Sequence, residues 1–183
     1  MNKAVFIDRD GTLIYDRHYC SKVEDVDLIP GAAEAVRIFN DLNLKVIIVT
    51  NQSGVGRGLF THRRLGSIHR ELWWQLSSKK AIIDAIYYCP HTPEDGCLCR
   101  KPKCGMLLMA EKDLNISLDG SYIIGDKVSD VKAGASVGCT GILIADPEAH
   151  LQVKTDKPEH LVRNLFDAAM IIDSIVSTAP YNL

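Results

Sequence analysis

An apolar run that stops abruptly at two aspartates is the feature that most constrains this chain. Residues 4–7 predict a short buried strand, and Asp8, Asp10 and a glycine turn follow it at once. Because side chains two apart in a strand point the same way, both carboxylates would leave the strand's carboxyl end together, where parallel α/β sheets bind ligands. Two like charges this close repel unless a cation or a proton lies between them. The pattern predicts either a cation site or, more simply, a charged turn after an edge strand.

The rest of the chain alternates strand and helix patterns. This predicts an α/β fold, a doubly wound, Rossmann-like parallel sheet in a single domain over residues 1–183. Apolar runs predict further strands at residues 44–49, 82–88, 122–124, 141–145 and 160–162. Helical patterns lie at residues 32–42, 61–77, 106–114, 131–136 and 165–176, and residues 146–158 are predicted to form a surface loop. The adjacent Trp73 and Trp74 are predicted to pack in the core or against another helix.

Composition narrows the class of protein. The chain has 183 residues and a net charge of -2, so it has no overall basic field for nucleic acid. No apolar run is long enough to cross a bilayer, and the N-terminus starts with a strand pattern rather than a signal peptide. We therefore expect a cytoplasmic protein with no nucleic-acid or membrane partner.

A cluster of cysteines and a histidine indicates a metal site. Cys89, His91, Cys97 and Cys99 supply three thiolates and one imidazole between residues 89 and 99, which is the ligand set of a closed structural zinc site. Reduced free thiols are the alternative, and a disulfide is disfavoured because the compartment is expected to be reducing. The other cysteines are interpreted as packing or loop residues: Cys20, Cys104 and Cys139.

Reactive side chains follow four of the predicted strands: Asp8 and Asp10, then Thr50, then Lys101, then Asp126 and Asp130. Carboxylates suit Mg²⁺, and one carboxylate can attack phosphorus while a second protonates the leaving alkoxide. A hydroxyl, a lysine and the glycine-rich backbone of residues 51–58 can stabilise charge on phosphoryl oxygens. The set indicates Mg²⁺-dependent hydrolysis of a phosphomonoester through an aspartyl-phosphate.

The same residues carry a resemblance to a known family. Asp8-Arg9-Asp10-Gly11-Thr12, Thr50, Lys101 and Gly125-Asp126-x-x-x-Asp130 resemble the four motifs of the haloacid dehalogenase-like phosphatases. The chain is most similar to the D,D-heptose 1,7-bisphosphate phosphatases, through Thr50 to Gly58, Tyr87 to His91, Cys99 to Pro102 and Gly105 to Leu108. The resemblance extends to about residue 175. It implies a fold without a cap domain, a zinc-bound loop and an enzyme that is usually monomeric and acts on a small phosphorylated sugar.

The resemblance also implies roles for individual residues. Asp8 would be the nucleophile and Asp10 the general acid and base, while Thr50 and Lys101 would stabilise the phosphoryl group. Mg²⁺ would be held by the carboxylates of Asp8 and Asp126 and by the backbone carbonyl of Asp10. Asp130 would support these ligands without binding the ion directly. The expected substrate contacts are Arg9, Asp16, Arg17, His18, Tyr19, Asn51, Gln52, Ser53, Arg57, Arg100 and Lys127.

Two departures and several rival functions remain open. Cys104 replaces the proline usual in the family, and the zinc loop is shorter than in some members, which bears on the rim that selects the sugar rather than on the catalytic residues. A histidinol-phosphate phosphatase or another small sugar-phosphate phosphatase shares the catalytic motifs and is the first alternative. A zinc-stabilised binding module without activity is an alternative of another class. A DNA 3′-phosphatase is poorly supported because no basic track for a nucleic acid backbone is visible.

Overall fold

A computed structural model describes residues 1–146 and 158–178 and contains a six-stranded parallel sheet. In chain order the strands are β1 (Asn2–Ile7), β2 (Lys45–Asn51), β3 (Ala85–Cys89), β4 (Ile116–Gly125), β5 (Thr140–Ile144) and β6 (His160–Val162). They lie in the order β3-β2-β1-β4-β5-β6, and every pair is parallel. The order reverses beside β1, and such a switch point is where open α/β sheets bind ligands. The predicted doubly wound α/β fold is confirmed.

Helices cover both faces of this sheet. They are α1 (Ala32–Asp41), α2 (Ser53–Gly56), α3 (His62–Ser78), α4 (Gly105–Leu114), α5 (Val128–Ala135) and α6 (Leu165–Thr178). The alternation along β1 divides the core, because Val5 and Ile7 pack with α1, α3 and α6 while Ala4 and Phe6 pack with α4 and α5. The sheet is thus buried on both sides, which explains why its central strands read as continuous apolar runs.

The connection between β1 and α1 is compact. It contains one single-turn 3-10 helix, Val23–Asp25, and bridges Ile14 to Leu28. A connection of this size leaves the carboxyl edge of the sheet open to solvent above β1, in line with the expected absence of a cap. None of the described helices combines the length and apolar character needed to cross a bilayer. The loop predicted at residues 146–158 falls largely outside the described residues.

The prediction for the tryptophan pair was wrong. Trp73 and Trp74 are 53% and 60% exposed. The buried face of α3 is formed by Leu65, Ile68, Leu72 and Leu76, at helical spacing. Both tryptophans lie outside this buried stripe, so their position on the helix, rather than their size, determines their exposure.

Two strands begin three or more residues away from their predicted positions. β4 begins at Ile116 rather than at residue 122, because its register against β1 shifts between Lys3 and Val5 and accommodates the polar residues in between. Gly120 has a φ of 73° there, which glycine adopts without a steric penalty. β3 begins three residues later than predicted, at Ala85.

Candidate active site

A buried lysine links the ends of three strands. Lys101 follows β3, is 4% exposed, and places its ammonium 2.8 Å from Asp8 Oδ1 and 2.6 Å from Asp130 Oδ1. The third donor reaches the backbone carbonyl of Val49 at 2.7 Å. All three N–H groups therefore have acceptors. Burial alone would lower the pKa of Lys101, but the carboxylates of Asp8 and Asp130 raise it above its usual range, so the ammonium stays charged.

Three carboxylates converge beside this lysine. One oxygen of each of Asp8, Asp126 and Asp130 lies within 4.8 Å of the others. Both oxygens of Asp130 are already engaged, by Lys101 and by the backbone N–H of Lys127 at 3.0 Å. Buried Asp126 Oδ1, by contrast, has no hydrogen-bond partner. A buried, unpartnered carboxylate oxygen facing another carboxylate fits a hard divalent cation such as Mg²⁺.

The environment of Asp126 supports the same interpretation. Burial raises its pKa to about 6, and Asp8 and Asp130 add to the rise while Lys127 opposes it. A Cβ at Gly11 would lie 2.5 Å from Asp126 Oδ2, and the φ of Gly11 is +78°, so only glycine fits this turn. The glycine of the first motif thus allows the carboxylate that follows β4 to approach the aspartates that follow β1.

Asp10 is held by hydrogen bonds from Arg9 and Gln52. Arg9 donates through Nε to Asp10 Oδ2 at 3.1 Å and through Nη2 to Asp10 Oδ1 at 2.9 Å. Gln52 Nε2 donates to Asp10 Oδ2 at 2.8 Å and to Thr50 Oγ1 at 2.7 Å. The side chain of Asp10 remains 16% exposed, whereas Arg9 has no exposed surface. Asp10 thus lines the cavity with both oxygens held by Arg9 and Gln52, while Arg9 Nη1 is buried without a hydrogen-bond partner.

A cavity of about 370 Å³ opens above these groups. Most of the predicted substrate contacts line it, namely Arg9, Asp16, His18, Tyr19, Asn51, Gln52, Ser53, Arg100 and Lys127. Asp16 Oδ2 and Lys127 Nζ approach to 3.6 Å from opposite loops. Two predicted contacts lie outside the lining, since Arg17 pairs with Asp27 at 3.2 Å and Arg57 approaches Glu94 at 4.0 Å.

Two residues line the cavity that the sequence analysis did not assign to the site. Ser129 lies in the first turn of α5, two residues after Lys127, and its position in the Gly125-to-Asp130 motif was the available signal. Cys20 also lines the cavity, and burial raises its pKa to about 11, which keeps the thiol protonated near neutral pH. Cys20 and Cys139 are both buried, as predicted.

The four predicted zinc ligands come together at the end of β3. The sulfurs of Cys89, Cys97 and Cys99 lie 3.2 to 3.5 Å apart, and His91 Nδ1 is 3.3 Å from Cys99 Sγ and 3.6 Å from Cys89 Sγ. Tetrahedral zinc with four such ligands requires separations of about 3.5 to 3.8 Å. Burial opposes ionisation of Cys97, but hydrogen bonds from Cys99 and Cys89 lower its pKa to about 7. The ligand set therefore fits zinc.

The loop that carries the Cys/His cluster continues into two basic residues, Arg100 and Lys103, of which Arg100 lines the cavity. Arg100 Nη1 donates to the carbonyl of His91 at 3.2 Å, and Lys103 Nζ donates to the carbonyls of Gly96 and Cys97 at 2.7 and 2.8 Å. Arg100 therefore reaches the cavity from a segment whose shape depends on the Cys/His cluster.

Comparison with known proteins gives consistent matches. A family model described as HAD-hydrolase-like matches residues 98–168. The chain is 37% identical to the D-glycero-beta-D-manno-heptose-1,7-bisphosphate 7-phosphatase of Haemophilus ducreyi, over 98% of this chain and 97% of the relative. It is 39% identical to the enzyme of the same name from Haemophilus influenzae, over 86% and 85% of the two chains.

A solved structure shows the same fold. The D,D-heptose 1,7-bisphosphate phosphatase from B. bronchiseptica, complexed with magnesium and phosphate, superimposes with a TM-score of 0.86 at 30% identity. The match covers 94% of this chain and 99% of that one.

Proposed function

The chain belongs to the D-glycero-β-D-manno-heptose-1,7-bisphosphate 7-phosphatases, enzymes of the haloacid dehalogenase superfamily, and we propose that it removes the 7-phosphate of that sugar. The observation that carries the proposal is the buried contact of Lys101 with Asp8 and Asp130, beside the unpartnered oxygen of Asp126. This arrangement provides a nucleophile, a fixed positive charge and a cation site within one hydrogen-bonded group.

Asp8 is the nucleophile of the proposed reaction. Lys101 holds Asp8 Oδ1, which leaves Oδ2 to attack phosphorus. The bond from Asp8 to phosphorus forms while the bond from phosphorus to the sugar oxygen breaks, and Asp10 gives its proton to that oxygen. Asp10 then takes a proton from water, the water oxygen attacks phosphorus, and the bond to Asp8 breaks. Inorganic phosphate leaves, and both carboxylates return to their starting states.

Thr50 stabilises the phosphoryl oxygens through its hydroxyl, and Lys101, whose three N–H groups are already engaged, does so through its positive charge. Asp8, Asp126 and the carbonyl of Asp10 would hold Mg²⁺, which neutralises charge on the phosphoryl group. Asp130 acts behind them, because both its oxygens bind protein groups. The chain thus supplies positioning and electrostatics, which are the main demands of phosphoryl transfer.

The cavity lining provides sugar and second-phosphate contacts. Arg100 and Lys127 bring positive charge to the mouth, and Asp16, His18, Tyr19, Asn51 and Ser53 offer hydrogen-bonding groups around it. Zinc bound by Cys89, His91, Cys97 and Cys99 would fix the loop from which Arg100 extends. Arg17 and Arg57 would act only at the rim, since each already lies beside a carboxylate.

Phosphate release from a small panel tests the proposal. The panel contains both anomers of D-glycero-D-manno-heptose 1,7-bisphosphate, histidinol phosphate and common sugar phosphates, each with Mg²⁺. We expect a strong preference for the β anomer, with one phosphate released per sugar and none released by Asp8→Asn. A preference for histidinol phosphate would instead show that the chain is a histidinol-phosphate phosphatase, the first alternative. No turnover by folded, metal-loaded protein would favour a binding module instead.

A further inference from the structure

The acid–base aspartate is supported by two side chains of different origin. Arg9 is its neighbour in the loop after β1, whereas Gln52 follows β2 and is 42 residues away in sequence. Together they occupy both oxygens of Asp10, with three hydrogen bonds of 2.8 to 3.1 Å. One carboxylate oxygen thus receives donors from two elements, so rotation of the Asp10 side chain would break several bonds at once.

Gln52 is itself held in a single orientation. Its Oε1 accepts from Arg9 Nη2 at 3.0 Å, while its Nε2 donates to both Asp10 and Thr50. Its backbone N–H donates to the carbonyl of Cys89 at 2.7 Å. Reversing the carboxamide would place its oxygen against the carboxylate of Asp10 and its nitrogen against the guanidinium of Arg9. The network therefore has one consistent arrangement of donors and acceptors.

Both residues lie at the floor of the cavity and are nearly buried there. Arg9 and Gln52 are 0% and 5% exposed, although both line the cavity. The bonds described above engage both polar atoms of the Gln52 carboxamide and the Nε and Nη2 of Arg9, whereas Arg9 Nη1 is buried without a hydrogen-bond partner. The sequence predicts both as substrate contacts, and their bonds to Asp10 and Thr50 point to a second role.

We propose that Arg9 and Gln52 are positioning residues that fix the carboxylate of Asp10 for proton transfer to the leaving oxygen. The inference rests on the proposed function. Proton transfer requires heavy atoms within about 2.6–3.2 Å, so a carboxylate free to rotate would seldom be in place. Gln52 also fixes the hydroxyl of Thr50, so one side chain aligns the proton donor with a group that stabilises the phosphoryl oxygens.

The leaving group of the substrate distinguishes this role from a structural one. A primary alkyl phosphate needs its leaving oxygen protonated, whereas the p-nitrophenolate released from p-nitrophenyl phosphate is stable without a proton. Arg9→Met and Gln52→Met should therefore lower kcat/KM far more on the alkyl phosphate. This ratio reports the steps up to the phosphorylated Asp8, whereas hydrolysis of that intermediate, in which Asp10 also takes part, is the same for both substrates. General acid–base catalysis contributes about 10²–10⁴-fold, so we expect a loss of about 10²-fold there and about tenfold or less on the aryl phosphate.

Arg9→Lys should partly restore kcat/KM on the alkyl phosphate, because an ammonium can still donate to Asp10 but cannot bind both oxygens as a planar fork. Gln75→Met is the matched control for a lost glutamine carboxamide. Gln75 lies on α3 and donates to Val26 O and Glu71, away from the site, so its replacement should leave both rates unchanged.

A double mutant provides an independent test. In an Asp10→Asn background, adding Arg9→Met should cause no further loss on the alkyl phosphate, because the group that Arg9 positions has already gone. An equal loss on both substrates, an additive loss in the double mutant, or no loss at all would overturn the positioning role. If the wild-type chain hydrolyses neither substrate, the proposed function fails and the positioning role fails with it.

Discussion

Asn51 and Lys101 exchange two hydrogen bonds between the end of β2 and the loop after β3. Asn51 Nδ2 donates to the carbonyl of Lys101 and Asn51 Oδ1 accepts from its backbone N–H, both at 3.1 Å. The side-chain carboxamide of Asn51 thus pairs with the backbone of Lys101 in the way that a neighbouring strand would. Since the ammonium of Lys101 must reach Asp8, the backbone position that Asn51 sets also decides whether the lysine lies in the site.

We expect Asn51→Ala to lower kcat by about tenfold or more, because Lys101 would lose the contact that places its backbone and a small displacement there carries a large kinetic cost. Asn40→Ala is the matched control. Asn40 exchanges two similar bonds with the backbone of Ile82 at the amino end of β3. It should lose comparable stability but retain activity. Equal activity of the two variants would contradict the assignment.

Removing the buried lysine should destabilise the fold. Lys101→Met leaves Asp8 and Asp130 buried without their cation, and breaking one partner of a buried pair costs about 3–5 kcal/mol in the free energy of unfolding. Urea denaturation measures the change. Adding Asp130→Asn should recover part of the loss because one unpaired charge disappears.

Lys45→Met is the control for the lost charge. Lys45 pairs with Asp84 at 2.7 Å, but its side chain is 41% exposed, so its removal should cost about 1 kcal/mol or less. A similar loss in the free energy of unfolding for both lysine variants would mean that burial does not raise the cost of removing Lys101.

The Cys/His cluster should hold one zinc ion that is required for stability. Cys97→Ala should lose the zinc and several kcal/mol of stability together, since binding to a structural site is coupled to folding. Cys104→Ala, which removes a thiol outside the cluster, should retain both. Elemental analysis with thermal unfolding checks the pair, and normal stability of zinc-free Cys97→Ala would show that the cluster is not structural.

A buried histidine should make the fold sensitive to acid. Burial, with a smaller contribution from nearby Arg9, lowers the pKa of His69 from 6.5 to about 3. Between those values the unfolded chain binds a proton that the folded chain does not, so stability falls as the pH drops from 6.5 towards 3. The slope reaches about 1.4 kcal/mol per pH unit for one proton.

His69→Phe keeps an aromatic ring beside Tyr88 and removes the titrating group. Its unfolding free energy should therefore fall less steeply in that pH range than that of the wild type. His62→Phe removes an exposed histidine of the same helix and should retain the acid sensitivity of the wild type. An unchanged slope for His69→Phe would contradict the buried, neutral histidine.

The sequence predicted the fold and the main reactive groups because their signals are local. Asp8, Lys101 and Asp126 follow strands and Thr50 lies at the carboxyl end of β2, and parallel strands bring their carboxyl ends to one edge. The inward direction of Arg9 and Gln52 could not be predicted, since it depends on contacts between loops that are distant in sequence. The exposure of Trp73 and Trp74 was missed because residue type outweighed helical position. The early start of β4 was hidden by polar Asp119 and by Gly120 inside a strand.

The cluster of carboxylates beside Lys101 also bears on the order of assembly. Asp8, Asp126 and Asp130 converge within 4.8 Å of one another, and the cations beside them are buried Lys101 and half-exposed Lys127, which lies 3.7 Å from Asp126 Oδ2. Arg9 pairs with Asp10 rather than with this group. A divalent cation would add the positive charge that a phosphate dianion needs at this floor. We therefore expect metal to bind before substrate. Phosphate should bind weakly to metal-free enzyme, however complete the rest of the cavity is.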